Sequence, residues 1–87
     1  MPDYLVALKA GAEKEFFRLP DEMSVRILAK IEALAANPRP RGSKKLRGAS
    51  DVWRIRIGDY RVVYLIDDVV RRVEVTRIAH RRDVYRG

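Results

Sequence analysis

Residues 53–64 read Trp-Arg-Ile-Arg-Ile-Gly-Asp-Tyr-Arg-Val-Val-Tyr, and the alternation that opens this run decides the fold. Trp53, Ile55 and Ile57 share one parity; Arg54 and Arg56 share the other. A strand sends successive side chains to opposite faces, so one face is apolar and the other carries guanidinium groups. Gly58-Asp59 supplies a two-residue turn, and Tyr60 to Ile66 reads as the returning strand. If Ile57 pairs with Tyr60, Arg56 stands opposite Arg61 on the same face. Like charges directly opposite destabilise a sheet. Three arginines gathered on one face therefore point to a polyanion that meets them there.

Outward from this hairpin, a further strand spans about Arg72 to Ala79, with Asp67-Asp68 marking the turn before it. Tyr4 to Leu8 is a short apolar run with β character. Ala12 to Leu19, opened by Gly11, has a helical pattern that Pro20 interrupts. Met23, Ile27, Ile31 and Leu34 then recur at three- and four-residue steps, giving an amphipathic helix that ends near Ala36 before Asn37-Pro38. Asp21 and Glu22 suit its positive end. Asn37 to Ser43 is a Pro/Gly/Arg loop, and Lys44, Lys45 and Arg47 continue it around Leu46. The order β-α-α-β-β-β predicts one α+β domain over residues 1–87. A helical hairpin packs on one face of a mainly antiparallel four-stranded sheet, and the other face stays open. His80 to Gly87 receives no assignment.

The chain has 87 residues and a formal charge of +7. The charge is segregated: residues 1–36 are net −1, residues 37–61 net +6, residues 62–69 net −2 and residues 70–87 net +4. Concentration of positive charge in the carboxy-terminal part is the electrostatic footprint of nucleic-acid binding. There is no cysteine and one histidine, which argues against a disulfide framework, thiolate chemistry and a structural zinc site. No cofactor and no metal are expected. No apolar run reaches the length of a membrane span. The amino terminus has no basic region ahead of its apolar run, so a cytoplasmic protein without a signal peptide is expected.

Candidate chemistry falls in three groups. Arg54, Arg56 and Arg61 offer planar forks suited to phosphate; the alternative is a solvated face that discourages edge aggregation. Trp53, on the other parity, reads as core. His80, Arg81, Arg82 and Tyr85 form a second group directly after the last strand. Tyr85 stacks a base, bonds a phosphate or packs the tail, and the residues alone leave these open. Lys44, Lys45 and Arg47 read as nonspecific phosphate contacts or as a plain basic loop. Neither a phosphate-cradling Gly-rich loop nor a paired-carboxylate arrangement is recognisable. An enzyme built from arginines, a histidine and a tyrosine suits metal-free RNA cleavage, with the substrate's own 2′-hydroxyl as nucleophile.

Three ordered motifs carry a resemblance over essentially the whole chain: Lys-Lys-Leu-Arg-Gly at 44–48, the 53–64 run, and Ile-Ala-His-Arg-Arg-Asp-Val-Tyr at 78–85. With Glu-Lys-Glu-Phe-Phe-Arg-Leu-Pro at 13–20 and Ala-Asn-Pro-Arg-Pro at 36–40, the sequence resembles the RelE/ParE superfamily of bacterial toxins, and most its RelE branch. The resemblance implies the toxin of a type II toxin–antitoxin system: a ribosome-dependent endoribonuclease that cuts messenger RNA in the ribosomal A site. It also implies a cognate RelB-like antitoxin with acidic and amphipathic character, held with the toxin in a hetero-oligomer. By motif position, Arg61 falls on the arginine that holds the scissile phosphate and Arg81 on a further phosphate-stabilising arginine. Tyr85 falls on a tyrosine that stacks on substrate or assists proton transfer. Arg54 and Arg56 fall where relatives carry basic residues, lysine in some of them. Arginine cannot serve as a general base as lysine can. His80 is thus the first candidate for moving protons, since histidine ordinarily titrates near neutrality, and Tyr85 the second. The rival reading is a ParE-like inhibitor that binds DNA gyrase without nuclease activity. A third is a degenerate toxin that binds nucleic acid without cutting it.

Overall fold

A computed structural model describes residues 4–46 and 51–84, with side chains through Arg82. Its elements are β1 (Leu5–Leu8), α1 (Ala10–Phe17), α2 (Asp21–Ala33), β2 (Lys44–Lys45), β3 (Val52–Ile57), β4 (Tyr60–Asp67), β5 (Arg72–His80) and α3 (Arg81–Val84). The strands form one sheet in the order β1-β5-β4-β3-β2. Only the β1–β5 pair is parallel. The expected α+β architecture holds with one correction: the sheet has five strands, not four. Lys44 and Lys45 pair with Arg54 and Trp53 as a short edge strand instead of remaining loop. The tail left unassigned begins with a helical turn, α3.

The hairpin follows the register that its sequence dictates. Ile57 pairs with Tyr60, and Arg56 with Arg61. Gly58 takes φ +60, the sign a type II′ turn requires at its first central position. The apolar parity of β3 and β4 faces the helices. Ile55, Ile57, Val62, Tyr64 and Ile66 join Val73, Val75 and Ile78 of β5 against Ala12 of α1 and Ile27 and Ile31 of α2, with Leu34 just beyond. Met23 and Trp53 pack at the edge of this core. Leu28, which flanks the helical stripe in sequence, is exposed. No helix of the described residues is long and apolar enough to cross a membrane.

An irregularity in β5 decides which residues meet on the open face. The register against β4 shifts between Val63 and Tyr64: Val63 pairs with Arg77 but Tyr64 pairs with Val75. Thr76 is the extra residue, and its hydroxyl donates to the Val63 carbonyl at 3.2 Å. A bulge of this kind exchanges the faces of every residue beyond it. Val73 and Val75 therefore point to the core from odd positions and Ile78 from an even one, while Ala79 comes to lie opposite Arg61 on the open face.

At the other end of the sheet, Arg39 ties the loop after α2 to the β4–β5 turn. Its guanidinium forks onto Asp68, with Nη1 at 3.2 Å and Nη2 at 2.8 Å from the two carboxylate oxygens. Asp68 also accepts the Tyr4 hydroxyl at 2.6 Å. The Arg39 fork, and after it the Tyr4 hydroxyl, pulls the Asp68 carboxyl down from 3.8 to about 2. Because the folded value is depressed, this stabilisation is complete above pH 3.8 and disappears as pH falls through about 2. Acid melting curves across that interval should lose part of their pH dependence in Asp68→Asn. A second expectation concerns the turn. Gly58→Ala forces a Cβ into a left-handed backbone and should cost about 1–2 kcal/mol in urea unfolding.

Candidate anion-binding site

On the open face, β2, β3 and β4 stand side by side, and their registers gather cations. Lys44 is level with Arg54, and Arg56 with Arg61. Together with Gly42 these residues line a recess of about 170 Å³. Its described lining contains no carboxylate. Arg61 is only 8% exposed, although it carries a full charge on a sheet face. Its Nη1 donates to the Tyr60 carbonyl at 3.4 Å, and its buried Nε has no acceptor among the described residues. Arg56 is oriented by an Nε–H bond to the Gly58 carbonyl at 3.2 Å. The turn that sets the register thus also aims one of the arginines. Four cations around a small concavity repel one another, and an anion seated among them removes that cost.

The predicted site residues divide among several places. Lys44, Arg54, Arg56 and Arg61 share the recess. Lys45 pairs with Trp53 and so shares the helix-side parity, away from it. Arg81 and Arg82 are exposed on α3, whose start is held by the Arg81 N–H bonding the Asp59 carbonyl at 2.7 Å. Arg47 and Tyr85 lie outside the described residues.

His80 is separated from the arginines. It pairs with Tyr60, on the parity that faces the helices, and its ring meets the Tyr60 ring edge-on at 5.5 Å. It lines a different recess, of about 360 Å³, with Glu15, Arg18 and Arg77. Its Nδ1 accepts the Arg82 N–H at 3.3 Å, so the neutral imidazole carries its proton on Nε2. The bulge at Thr76 is the cause. A regular β5 would have kept odd positions on the core side and set His80 on the open face, opposite Asp59 and diagonal to Arg61.

Two contributors were not anticipated from sequence. Gly42, at φ +91, forms a wall of the cationic recess. Glu15 reaches from α1 to the edge of β5 where β1 has ended, accepting the Ile78 N–H at 2.8 Å and lying 3.7 Å from Arg77 Nε. The turn-forming Pro38-Arg-Pro-Arg-Gly42 composition was a legible signal for the first. Nothing in the local sequence marks the second, because the contact spans 63 residues.

The recess makes a testable stability statement. Arg61→Met removes a buried donor without an acceptor among the described residues and an opposed like charge, while keeping a side chain of similar length. It should leave urea stability equal or higher by about 1 kcal/mol, and abolish binding of phosphate-bearing ligands by the free protein.

Comparison with known proteins places the sequence and the fold in a family. Residues 6–85 match the family model described as ParE toxin of type II toxin–antitoxin system, parDE. A protein named Toxin RelE from Mycobacterium tuberculosis is 37% identical over 84 residues, 95% of this chain and 87% of that protein. The archaeal RelE–RelB complex from Pyrococcus horikoshii contains a chain that superposes with a TM-score of 0.81 at 28% identity, covering 91% of this chain and 96% of that one. The toxin–antitoxin complex RelBE2 from Mycobacterium tuberculosis gives a TM-score of 0.80 at 28% identity, covering 92% and 93%. With its sheet topology, its cationic open face and these relatives, the chain belongs to the RelE/ParE superfamily of type II toxin–antitoxin toxins, on its RelE-like branch.

Proposed function

We propose that this protein is a metal-independent endoribonuclease that cuts messenger RNA in the ribosomal A site and so stops translation. The observation that carries the reading is the recess on the open sheet face, where Lys44, Arg54, Arg56 and a nearly buried Arg61 converge. Arginine forks match phosphate oxygens and remain charged. In the reaction the 2′-oxygen of the substrate forms a bond to the adjacent phosphorus and the bond from phosphorus to the 5′-oxygen breaks. The products are a 2′,3′-cyclic phosphate and a 5′-hydroxyl. The 2′-hydroxyl proton leaves to a base, and a proton is delivered to the departing 5′-oxygen. Negative charge grows on the non-bridging oxygens between these events. Arg61 stabilises that charge from the floor of the recess, Arg56 and Arg54 bind from its wall, and Arg81 supports it from the start of α3. Lys44, Arg47 and Arg82 add backbone affinity, whereas Lys45, on the helix-side parity, is not given that part.

The proton steps fall to Tyr85. His80 presents its ring to the other recess with Nδ1 already engaged, which favours a positioning part for it at the β5–α3 junction. Relatives solved as RelE–RelB complexes support a cognate RelB-like antitoxin as partner. Its acidic and apolar residues would cover the basic face in a hetero-oligomer while the toxin rests.

The test is controlled expression followed by mapping of transcript 5′ ends. Codon-phased cuts are expected in translated messages. Arg61→Ala and Tyr85→Phe should lose cutting by at least about a hundredfold, as for removal of a charge-stabilising or proton-transfer group. His80→Ala should retain most of it. The matching family model is named for ParE toxins, so gyrase inhibition is the second reading. Growth arrest with intact messages and DNA-damage signalling would establish that reading instead.

A further inference from the structure

The loop between α2 and β2 is held by more contacts than its surface position requires. The buried Tyr64 hydroxyl, on a side chain with 0% exposure, donates to the Pro38 carbonyl at 2.8 Å. Burial raises that phenol to about 12, so it remains a donor throughout the working pH range. The next residue, Arg39, forks onto Asp68 and lays its guanidinium 5.3 Å from the centre of the Trp53 ring. Its backbone N–H bonds the Asn37 side chain at 3.1 Å. Ser43 closes a turn onto the Pro40 carbonyl at 2.9 Å.

What this loop delivers is the wall of the recess. β2 pairs only with Trp53 and Arg54, and beyond it Pro40, Arg41 and Gly42 line a recess of about 420 Å³ together with Ile55 and Arg56 of β3. Gly42 then lines the recess and the chain enters β2 at Lys44, the fourth cation. Nothing lies within 4 Å of a Cβ built at Gly42, so its φ of +91, not crowding, is what favours glycine there. Exposed ion pairs alone are too weak to fix such a segment. The buried Tyr64–Pro38 bond is stronger, because losing the donor leaves a buried carbonyl unsatisfied.

We propose that Tyr64 and Arg39 are positioning residues for the anion recess, holding the 37–43 loop where Gly42 and Lys44 close it around Arg54, Arg56 and Arg61. The proposal rests on the reading of that recess as the seat of the RNA phosphate and deepens it. Neither residue touches the substrate: Tyr64 lies on the helix-side parity of β4, and Arg39 stands on Trp53. As the only tryptophan of the chain, Trp53 reports the placement of the loop through its fluorescence.

The experiment compares the parent with Tyr64→Phe, Arg39→Met, Arg39→Lys and Lys44→Ala. It measures amide hydrogen exchange over residues 37–44 in the free protein, Trp53 emission, and affinity for a short single-stranded RNA blocked by 2′-methoxy groups across a salt series. In Tyr64→Phe, which keeps the buried ring, loop exchange should quicken and RNA affinity fall about tenfold at every salt concentration, with the salt slope unchanged. Arg39→Met should act in the same direction and shift Trp53 emission. Arg39→Lys should not rescue it, because an ammonium cannot reproduce the fork. Lys44→Ala should differ by lowering the salt slope by about one, as the loss of a direct phosphate contact does. Unchanged loop exchange in both Tyr64→Phe and Arg39→Met overturns the proposal, as does quickened exchange with parental RNA affinity. A parent protein that does not bind the RNA overturns the reading of the recess itself. The exchange data would then still show whether Tyr64 anchors the loop.

Discussion

The arrangement of the molecule depends on one pairing, Ile57 against Tyr60, made possible by the left-handed Gly58 between them. This register turns the apolar parity of both strands toward the helices. The same step brings Arg56 opposite Arg61 and Arg54 opposite Val63 on the outer face. A slip of one residue would bury arginines and expose the isoleucines, so the hydrophobic core enforces the cationic cluster. Folding energy from the inner face offsets electrostatic repulsion on the outer face. Arg61 is nearly buried within this cluster, and its Nε has no acceptor among the described residues.

The bulge at Thr76 is the second constraint, and it separates functions along β5. One inserted residue leaves Ala79, a small side chain, level with Arg61, so the recess is not filled from that side. It also turns His80 toward Tyr60 and α1. The cationic face and the face that carries the histidine are therefore different surfaces of the same sheet. An account of the chemistry that relies on guanidinium charge fits this division better than one that needs an imidazole at the phosphate.

Much of this was legible in the sequence because it is local. Period-two alternation over 53–57, the Gly-Asp turn and the three- and four-residue steps of α2 each specify structure within a few residues, and all three appear as expected. Membership of the toxin superfamily was legible through three motifs in fixed order. What escaped reading is nonlocal or depends on a single inserted residue. The apolar pattern of β5 changes parity between Val75 and Ile78, a trace of the bulge that is visible in retrospect, and with it the true face of His80. β2 is only two residues long and is defined by its partner, so no periodicity could reveal it. The Glu15 and Arg39 contacts join segments 63 and 29 residues apart, and only the folded chain brings them together.

The most direct test of the central claim is a crystal structure of the protein with a dinucleotide whose 2′-oxygen is methylated and cannot attack. The phosphate should lie on the open sheet face, within hydrogen-bond reach of Arg61 and flanked by Arg54, Arg56 and Lys44. A phosphate bound instead on the His80 side of β5, or an empty recess at saturating dinucleotide, would contradict the assignment of this face as the site of RNA cleavage.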